Sequence, residues 1–215
     1  MSDTVYTGAR DALIVVDVQR DFCPGGSLPV PSGDEVVPVI NRIVPYFGRW
    51  IYTRDWHPAD HVSFSGCPEF RDGSWPPHCV QGTPGADWCP SLDMPMNAIL
   101  VSKGDDPKHE AYSGFQVGGL DLAEFLRRHM VERVFITGLA TEYCVRQTAL
   151  DALAAGFTVF LVKDAVRGIS AEGAEHALGE MEEAGVVRIR SDQMVDTGER
   201  PAPSHHEHED PIDPD

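Results

Sequence analysis

The sequence lacks the long apolar run and the basic clusters that membrane-spanning and nucleic-acid-binding proteins need. No apolar stretch in its 215 residues approaches the ~20 residues of a transmembrane helix. Acidic residues outnumber basic ones by 34 to 17, and the net charge of −17 disfavours nucleic acid and anionic membranes as partners. The first ten residues also lack the basic start and apolar centre of a signal peptide, so we expect a cytoplasmic location.

Cysteine and glycine patterns that would define other protein classes are missing as well. The 5 cysteines form an odd set without a Cys-x-x-Cys pair, which fits neither a disulfide framework nor a cysteine-rich zinc module. No Gly-x-Gly-x-x-Gly follows an apolar run and no Gly-x-x-x-x-Gly-Lys-Ser/Thr occurs, so nucleotide-binding motifs give no support for a nucleotide site. Most of the cysteines should be reduced thiols, and a well-placed one is a candidate nucleophile.

What is present, between residues 12 and 190, is an alternation of short apolar runs with helix-like patterns. The predicted strands are Ala12–Val16, Trp50–Thr53, Ala98–Val101, Val134–Thr137, Thr158–Val162 and Val186–Ile189. The predicted helices are Glu35–Phe47, Leu120–His129, Thr141–Ala155 and Ala171–Ala184. Strands separated by helices imply right-handed crossovers. We therefore predict an α/β fold with three α/β/α layers and a mostly parallel central sheet of about six strands.

Two segments interrupt this alternation. Residues 56–97 are dense in Pro, Gly, Trp, His and Cys and show no period, and a loop of this length inside a domain is usually functional. Residues 196–215 are rich in acidic residues, Pro and His, a composition typical of disorder. We expect one domain over residues 1–195 and a disordered acidic tail over residues 196–215.

Reactive side chains follow several of the predicted strands. Asp17 closes the first strand, Lys103 follows the third, and Cys144 lies just past the fourth. The ligand crevice of an open parallel sheet lies outside the carboxyl ends of its strands, so these side chains should converge. Thr141 suits an N-cap, which would put Cys144 in the first helical turn, where the dipole lowers a thiol pKa and free amides can hold an oxyanion.

Together these three residues suit acyl transfer at an amide or ester carbonyl. Asp17 would take the thiol proton and later return it to the leaving group, while Lys103 would stabilise the charges. The alternative interpretations are a structural buried cysteine at Cys144 and a strand-capping aspartate at Asp17.

A second cluster follows the second predicted strand. In an extended segment residues i and i+2 point to the same side, so Asp55 and His57 can bind one ion. His78, on a stiff double-proline segment, is a candidate third ligand, and His61 is a fourth candidate. One carboxylate with two or three imidazoles leaves coordination positions open for water and substrate. A polar loop with unconnected histidines is the alternative.

Aromatic residues accompany both clusters. Phe22, Trp56, Trp75 and Trp88 are ordinary loop anchors in one interpretation. In the other, Phe22 and Trp75, which are close in sequence to the catalytic and metal candidates, sandwich a planar ring.

These residues stand in blocks that resemble the nicotinamidase/pyrazinamidase branch of the isochorismatase-like cysteine hydrolases, from about residue 11 to residue 190. The blocks are Ala12–Phe22, Thr53–Pro58, Trp75–Cys79, Lys103–Gly104, Tyr112–Phe115 and Gly138–Val145. Each block is modest alone, but six in the correct order are highly specific. The resemblance assigns residues 1–195 to a single isochorismatase-like hydrolase domain.

The resemblance implies a catalytic triad of Asp17, Lys103 and Cys144. It also implies a non-proline cis peptide at Leu139–Ala140, which aims the backbone amides of Ala140 and Cys144 at the oxyanion.

For the second cluster, the resemblance implies a bound divalent metal ion, with zinc as the first candidate and iron or manganese as alternatives. The implied ligands are Asp55, His57 and His78. The ion would contact the pyridine nitrogen of nicotinamide directly or through water, and Phe22 and Trp75 would flank the ring. His61 would support these ligands or act as an occasional ligand. Metal-free relatives such as isochorismatases generally lack both the Asp-x-His and the Trp-Pro-Pro-His elements.

The implied activity is the hydrolysis of nicotinamide to nicotinate and ammonia, with pyrazinamide as an additional substrate and a role in NAD salvage. The expected partner is a small-molecule substrate, and the sequence leaves open whether the chain forms a homo-oligomer.

Two alternative functions remain. One is another amidase of the superfamily, acting on an N-carbamoyl compound or a different small amide. The other is a catalytically silent metal- or ligand-binding protein on the same scaffold.

Overall fold

A six-stranded sheet with every neighbouring pair parallel forms the centre of the computed structural model, which describes residues 4–69 and 74–201. The strands are β1 (Val5–Thr7), β2 (Asp11–Val16), β3 (Trp50–Asp55), β4 (Ile99–Lys103), β5 (Arg133–Leu139), β6 (Thr158–Arg167), β7 (Val187–Ile189) and β8 (Met194–Asp196). The α-helices are α1 (Val36–Ile43), α2 (Leu122–Arg128), α3 (Arg146–Ala154) and α4 (Ala171–Ala184). The central sheet has the order β4-β3-β2-β5-β6-β7.

Helices cover both faces of this sheet. Because side chains alternate along a strand, Leu13 and Val15 of β2 pack with α1 on one face, while Ala12 and Ile14 pack with α2, α3 and α4 on the other. Strand β2 is fully buried between these two clusters, as expected for a parallel sheet covered on both faces. The predicted three-layer α/β/α fold with about six parallel strands is confirmed.

Two predicted helices change geometry along their length. Helix α1 ends at Ile43 and continues as a 3-10 turn over Val44–Tyr46, where Pro45 cannot donate an α-helical hydrogen bond. The segment Thr141–Val145 is a π-helical turn that runs directly into α3. Such turns are rare and are frequently found at functional sites.

The first and last strands, β1 and β8, were not predicted from the sequence. β1 and β8 form a separate two-stranded parallel sheet, with Val5 opposite Met194. Strands of three residues are too short to show a period of two, so the sequence carries little signal for them.

The first residues of the predicted tail are held against the domain. Thr197 donates a backbone hydrogen bond of 3.1 Å to Thr7, and Arg200 pairs with Asp196 at 2.8 Å. Residues 202–215, which make up most of the predicted disordered tail, lie outside the described residues, so the domain boundary stays a prediction. Within the described residues, no helix combines the length and apolarity needed to cross a membrane.

The described part of residues 56–97 contains no α-helix and one 3-10 turn, Pro84–Ala86. Isolated bridges pair Phe64 with Trp75 and His57 with Val80, and a further bridge joins Trp88 to Gln19 beyond the end of β2. The long loop is thereby fastened beside the carboxyl ends of the strands.

Candidate active site

Asp17, Lys103 and Cys144 meet at the carboxyl edge of the sheet. The Lys103 ammonium lies 2.8 Å from the Asp17 carboxylate and 3.2 Å from the Cys144 sulfur. A carboxylate oxygen of Asp17 lies within 4.8 Å of that sulfur, and all three side chains are buried. The structure therefore brings together the three residues that the sequence nominated as a catalytic set.

Strand register and tight turns produce this convergence. Asp17 follows β2 with a φ of +48°, and its carboxylate accepts a 2.7 Å hydrogen bond from the Thr53 hydroxyl. Lys103 is the last residue of β4 and lies opposite Asp55 of β3. Gly138 of β5 has a φ of +111°, and a Cβ there would lie 2.0 Å from the Val16 carbonyl oxygen, so this close approach of β5 to β2 requires glycine.

The charges in this cluster are strongly coupled. Burial opposes the charge on Lys103, but the carboxylates of Asp17 and Asp55 outweigh it and raise the lysine pKa well above its ordinary value. Burial raises the pKa of Asp17, assisted by the nearby charge of Asp55 and opposed by Lys103. Lys103 therefore stays protonated, while Asp17 holds a proton more readily than an exposed aspartate does.

Two local expectations for Cys144 are wrong. Burial, together with the charges of Asp17 and Asp55, raises the pKa of the thiol well above its usual value despite Lys103, whereas a lowered pKa was expected from the helix terminus. Thr141 is not the N-cap, because Ala140 occupies that position and the helical turn begins at Thr141. A protonated resting thiol needs a base within reach. Carboxylates of Asp17 and Asp55 both lie within 4.8 Å of the sulfur, and Asp17, whose pKa is raised rather than lowered, is the better proton acceptor.

The peptide bond preceding this turn has the predicted geometry. Leu139–Ala140 is a non-proline cis peptide. The Ala140 carbonyl accepts backbone hydrogen bonds from Tyr143 and Val145 at 3.1 and 3.2 Å, which closes the turn around Cys144.

Asp55, His57 and His78 form a second buried cluster beside the first. The Nε2 atoms of His57 and His78 lie 3.6 and 3.7 Å from Oδ2 of Asp55, while Oδ1 of Asp55 contacts the Lys103 ammonium. Burial opposes ionisation of Asp55, but Lys103 and the two histidines together hold its pKa well below the ordinary value. The Asp55 carboxylate is thus the link between the two clusters.

This donor set fits a divalent metal ion. Metal–ligand distances of about 2.1 Å in a tetrahedral site separate the ligand atoms by roughly 3.4 Å, close to the spacing observed here. Nδ1 of His57 donates to the Gly104 carbonyl at 3.0 Å and Nδ1 of His78 donates to the Pro76 carbonyl at 2.8 Å. Each hydrogen bond fixes the tautomer that leaves Nε2 free as a ligand, as outer contacts do in metal sites.

Gly104 also shapes this site sterically. Its φ is +67°, and a Cβ there would lie 2.3 Å from the imidazole of His57. Glycine at this position therefore lets the backbone carbonyl reach the His57 ring.

His61 lies next to this cluster but has other partners. Its Nε2 donates to the His109 carbonyl at 3.2 Å and its Nδ1 accepts from the Ser63 hydroxyl at 2.8 Å. Its nitrogen atoms approach those of His57 and the carboxylate of Glu110. The His61 ring packs beside the His57 ring, with centroids 4.3 Å apart, and its role as a support or an occasional ligand stays a prediction.

A pocket with about 400 Å³ of empty space, including its mouth, opens above these residues. Its lining residues are Phe22, Leu28, Asp55, His57, Trp75, His78, Glu110, Tyr112, Ala140, Tyr143, Cys144 and Ile169. Phe22 and Trp75 both contribute to the wall, as expected, and the Trp75 ring packs edge-on against Tyr143 with centroids 4.9 Å apart. The apolar wall and the convergent polar floor suit a small ring with one polar substituent.

Sequence reasoning missed several residues that build this site. Tyr112 accepts a 3.2 Å hydrogen bond from the Trp75 indole. The Gln19 side chain accepts from the Asp55 backbone amide and donates to the Asp55 carbonyl, both at 2.8 Å. The Asp21 carboxylate accepts from the Cys79 amide at 2.7 Å and so holds the segment that carries His78. The signal available was the position of these polar residues inside the blocks of the family resemblance.

Comparisons with known proteins agree with this geometry. The isochorismatase domain matches residues 11–193, and the chain belongs to this family. A nicotinamidase/pyrazinamidase of Mycobacterium tuberculosis is 43% identical over 188 residues, covering 84% of this chain and 98% of the relative. The resemblance predicted from the sequence blocks is thereby confirmed.

Two solved structures with bound ligands are also similar to this chain. The pyrazinamidase of Pyrococcus horikoshii, solved in complex with zinc, is 51% identical, with a TM-score of 0.76 over 84% of this chain and 99% of that one. PnC1 from L. infantum, solved in complex with nicotinate, is 36% identical, with a TM-score of 0.81 over 89% of this chain and 98% of that one.

Proposed function

We propose that this protein is a nicotinamidase, which hydrolyses nicotinamide to nicotinate and ammonia and accepts pyrazinamide as a second substrate. The observation that carries this proposal is the contact of the Lys103 ammonium with Asp17 and Cys144 beneath a small pocket with aromatic walls. Relatives named nicotinamidase or pyrazinamidase, aligned over most of the chain, support the choice of substrate. The product nicotinate gives the enzyme a role in NAD salvage, in the cytoplasm.

In this mechanism Asp17 takes the proton of the Cys144 thiol and the sulfur attacks the carboxamide carbon. The oxyanion forms against the backbone amides of Ala140 and Cys144. Asp17 then gives its proton to the departing ammonia, and a thioester remains on Cys144. Asp17 next takes a proton from water, and the oxygen of that water attacks the thioester carbon. The C–S bond breaks, nicotinate is released, and Asp17 returns the proton to the Cys144 sulfur.

Lys103 acts in this scheme without changing its protonation state. Its raised pKa keeps it charged, so it stabilises the negative charge that moves between Asp17 and the Cys144 sulfur. The high pKa of the thiol means that proton transfer and attack have to be closely coupled, since a free thiolate is a minor species.

Asp55, His57 and His78 would hold the metal, which we propose to be zinc. Two imidazoles and one carboxylate are ligands that zinc accepts, as are iron and manganese. When bound, the ion supplies a Lewis acid that can orient the ring nitrogen of the substrate or a water molecule. The aromatic walls of Phe22 and Trp75 restrict the ring to one plane, which orients the amide above Cys144.

Ammonia release by the purified protein tests this function. We expect turnover of nicotinamide and pyrazinamide, and much slower turnover of benzamide, which has the same shape without a ring nitrogen. An N-carbamoyl amino acid serves as the competing substrate class. Preferred hydrolysis of the N-carbamoyl compound, or no ammonia from any amide with the metal bound, would contradict the proposal.

A further inference from the structure

Cys23 and Cys89 lie against each other in the core, away from the Cys144 nucleophile. Their sulfur atoms are 2.7 Å apart, and both residues are buried. The pair belongs to the hydrophobic cluster on the α1 side of the sheet, whereas Cys144 belongs to the cluster on the other side. Nothing in the proposed hydrolysis uses either thiol.

The backbone around the pair is already locked in place. The Cys89 amide donates to the Val18 carbonyl at 2.9 Å and the Arg20 amide donates to the Asp87 carbonyl at 2.8 Å. The Cys23 amide in turn donates to the Arg20 carbonyl at 3.0 Å, which folds Cys23 back towards this ladder. Bringing the sulfur atoms from 2.7 Å to the ~2.05 Å of a covalent bond therefore needs only a small side-chain movement.

A surface cavity reaches one member of the pair, Cys23. The cavity encloses about 660 Å³ of empty space, including its mouth, and is lined by Cys23, Arg20, Pro24 and Pro90 among others. Pro90 is the residue next to Cys89. Burial and the contact with Cys89 raise the pKa of the Cys23 thiol, so little thiolate is present at neutral pH and the first oxidation step should be slow, while the short distance between the sulfur atoms favours the second.

We propose that Cys23 and Cys89 form a site of reversible oxidation, at which a peroxide joins the two sulfur atoms in a disulfide. In the first step one sulfur attacks a peroxide oxygen and the O–O bond breaks. The leaving hydroxide takes the thiol proton to form water, and a sulfenic acid remains. In the second step the other sulfur attacks the sulfenic sulfur, the S–O bond breaks and a second water leaves. Two thiols and one hydrogen peroxide thus give one disulfide and two waters.

The cross-link would close a loop that carries much of the candidate site. Residues 24–88 lie between the two cysteines, and they include Asp55, His57, Trp75 and His78. The disulfide would therefore fasten the long loop to the end of β2 while the sheet remains as it is. Closing a loop of this length restricts the unfolded chain, and we expect the Tm to rise by roughly 5–15 °C.

Peptide mapping of the full-length protein after treatment with hydrogen peroxide tests this site. The protein is denatured, remaining thiols are alkylated, and the peptides are identified by mass spectrometry, while Tm is measured in parallel. We expect a Cys23–Cys89 linked peptide, loss of alkylation at both residues, the rise in Tm, and reversal of all three by a thiol reductant.

Serine variants sharpen the result. Cys23→Ser and Cys89→Ser should each abolish the rise in Tm, whereas Cys67→Ser, which removes an exposed thiol, should retain it. Full alkylation of Cys23 and Cys89 after peroxide treatment of the wild-type protein, or their linkage to other cysteines, would overturn the proposal. The wild-type map decides the question even if a serine variant fails to fold, and it does not depend on amidase activity.

Discussion

The strand ends and the long loop bring their side chains to one site by different physical means. Asp17 and Lys103 stand at the ends of β2 and β4, and the register of the parallel sheet sets their separation. His78, by contrast, stands in the irregular segment of residues 56–97, where side-chain hydrogen bonds to the backbone take the place of a ladder. The loop has to be fastened residue by residue.

The strand-end part of the site is therefore held by the whole sheet, whereas the loop part depends on a few contacts. Substitutions at the strand ends should change the chemistry and leave the framework intact. Substitutions that loosen the segments carrying the metal ligands should first change metal affinity and substrate binding. One side chain holds each segment: Gln19 bonds to the backbone of Asp55, and Asp21 bonds to the backbone amide of Cys79, next to His78.

Among changes that leave the thiol in place, Asp17→Asn should have the largest effect. The amide cannot accept the thiol proton, so kcat should fall about 10³- to 10⁴-fold. The isosteric side chain keeps the Thr53 contact available, and metal content should stay unchanged. Ammonia release and metal analysis on the same preparation measure both quantities. A variant that keeps more than a tenth of wild-type kcat would remove Asp17 from the chemistry.

Removal of the metal by a chelator should have the next largest effect. We expect kcat/KM for nicotinamide to fall about 100-fold, because the ring loses its anchor while the catalytic residues remain. The kcat/KM for benzamide, which has no ring nitrogen, should fall much less. His78→Ala should give the same pattern without a chelator. Equal losses for both amides would mean that the metal does not act on the ring.

Gln19→Leu tests how the end of β3 and the loop are held together, because the Gln19 side chain bonds to Asp55 of β3 and also donates to the Ala86 carbonyl of the loop at 3.0 Å. The substitution leaves the backbone amide and carbonyl of Asp55 without their buried partners, and metal affinity should fall about 10- to 100-fold. Gln81→Leu is the matched control, because Gln81 also donates to a loop carbonyl, that of Trp56, but does so at the surface. Competitive titration with a metal indicator measures both. Similar affinities in the two variants would contradict a special role for Gln19.

The pH profile should give the smallest and most specific effect. Asp17 has to be ionised to act as a base, and burial raises its pKa, so kcat/KM should fall about tenfold per pH unit below that raised value. Thr53→Val removes a hydrogen bond that favours the ionised form of Asp17, so the acid limb should move to higher pH. An acid limb that stays in place or moves to lower pH would indicate that a group other than Asp17 controls it.

The sheet and the strand-end residues were predictable because their signals are local. Apolar runs separated by helical patterns define the parallel sheet, and the crevice rule then places Asp17, Lys103 and Cys144 at one edge. The helix α4, with Ser170 as N-cap and Gly185 as C-cap, shows the same agreement between sequence and structure.

The loop was less predictable because its order is set by distant partners. Nothing near Gln19 indicates that its side chain donates to the carbonyl of Ala86 in the loop, which is 67 residues away. The partners of His61, which are the Ser63 hydroxyl and the His109 carbonyl, likewise could not be predicted from its spacing to His57. The raised pKa of Cys144 depends on complete burial and on two carboxylates brought in by other strands, which no helix-terminus rule anticipates.

The decisive experiment is ammonia release from nicotinamide by Cys144→Ala, with metal content measured on the same sample. Turnover should fall to background while the metal and the fold are retained, because alanine removes the attacking sulfur. Turnover that persists in a folded, metal-loaded Cys144→Ala variant would contradict covalent catalysis at this residue.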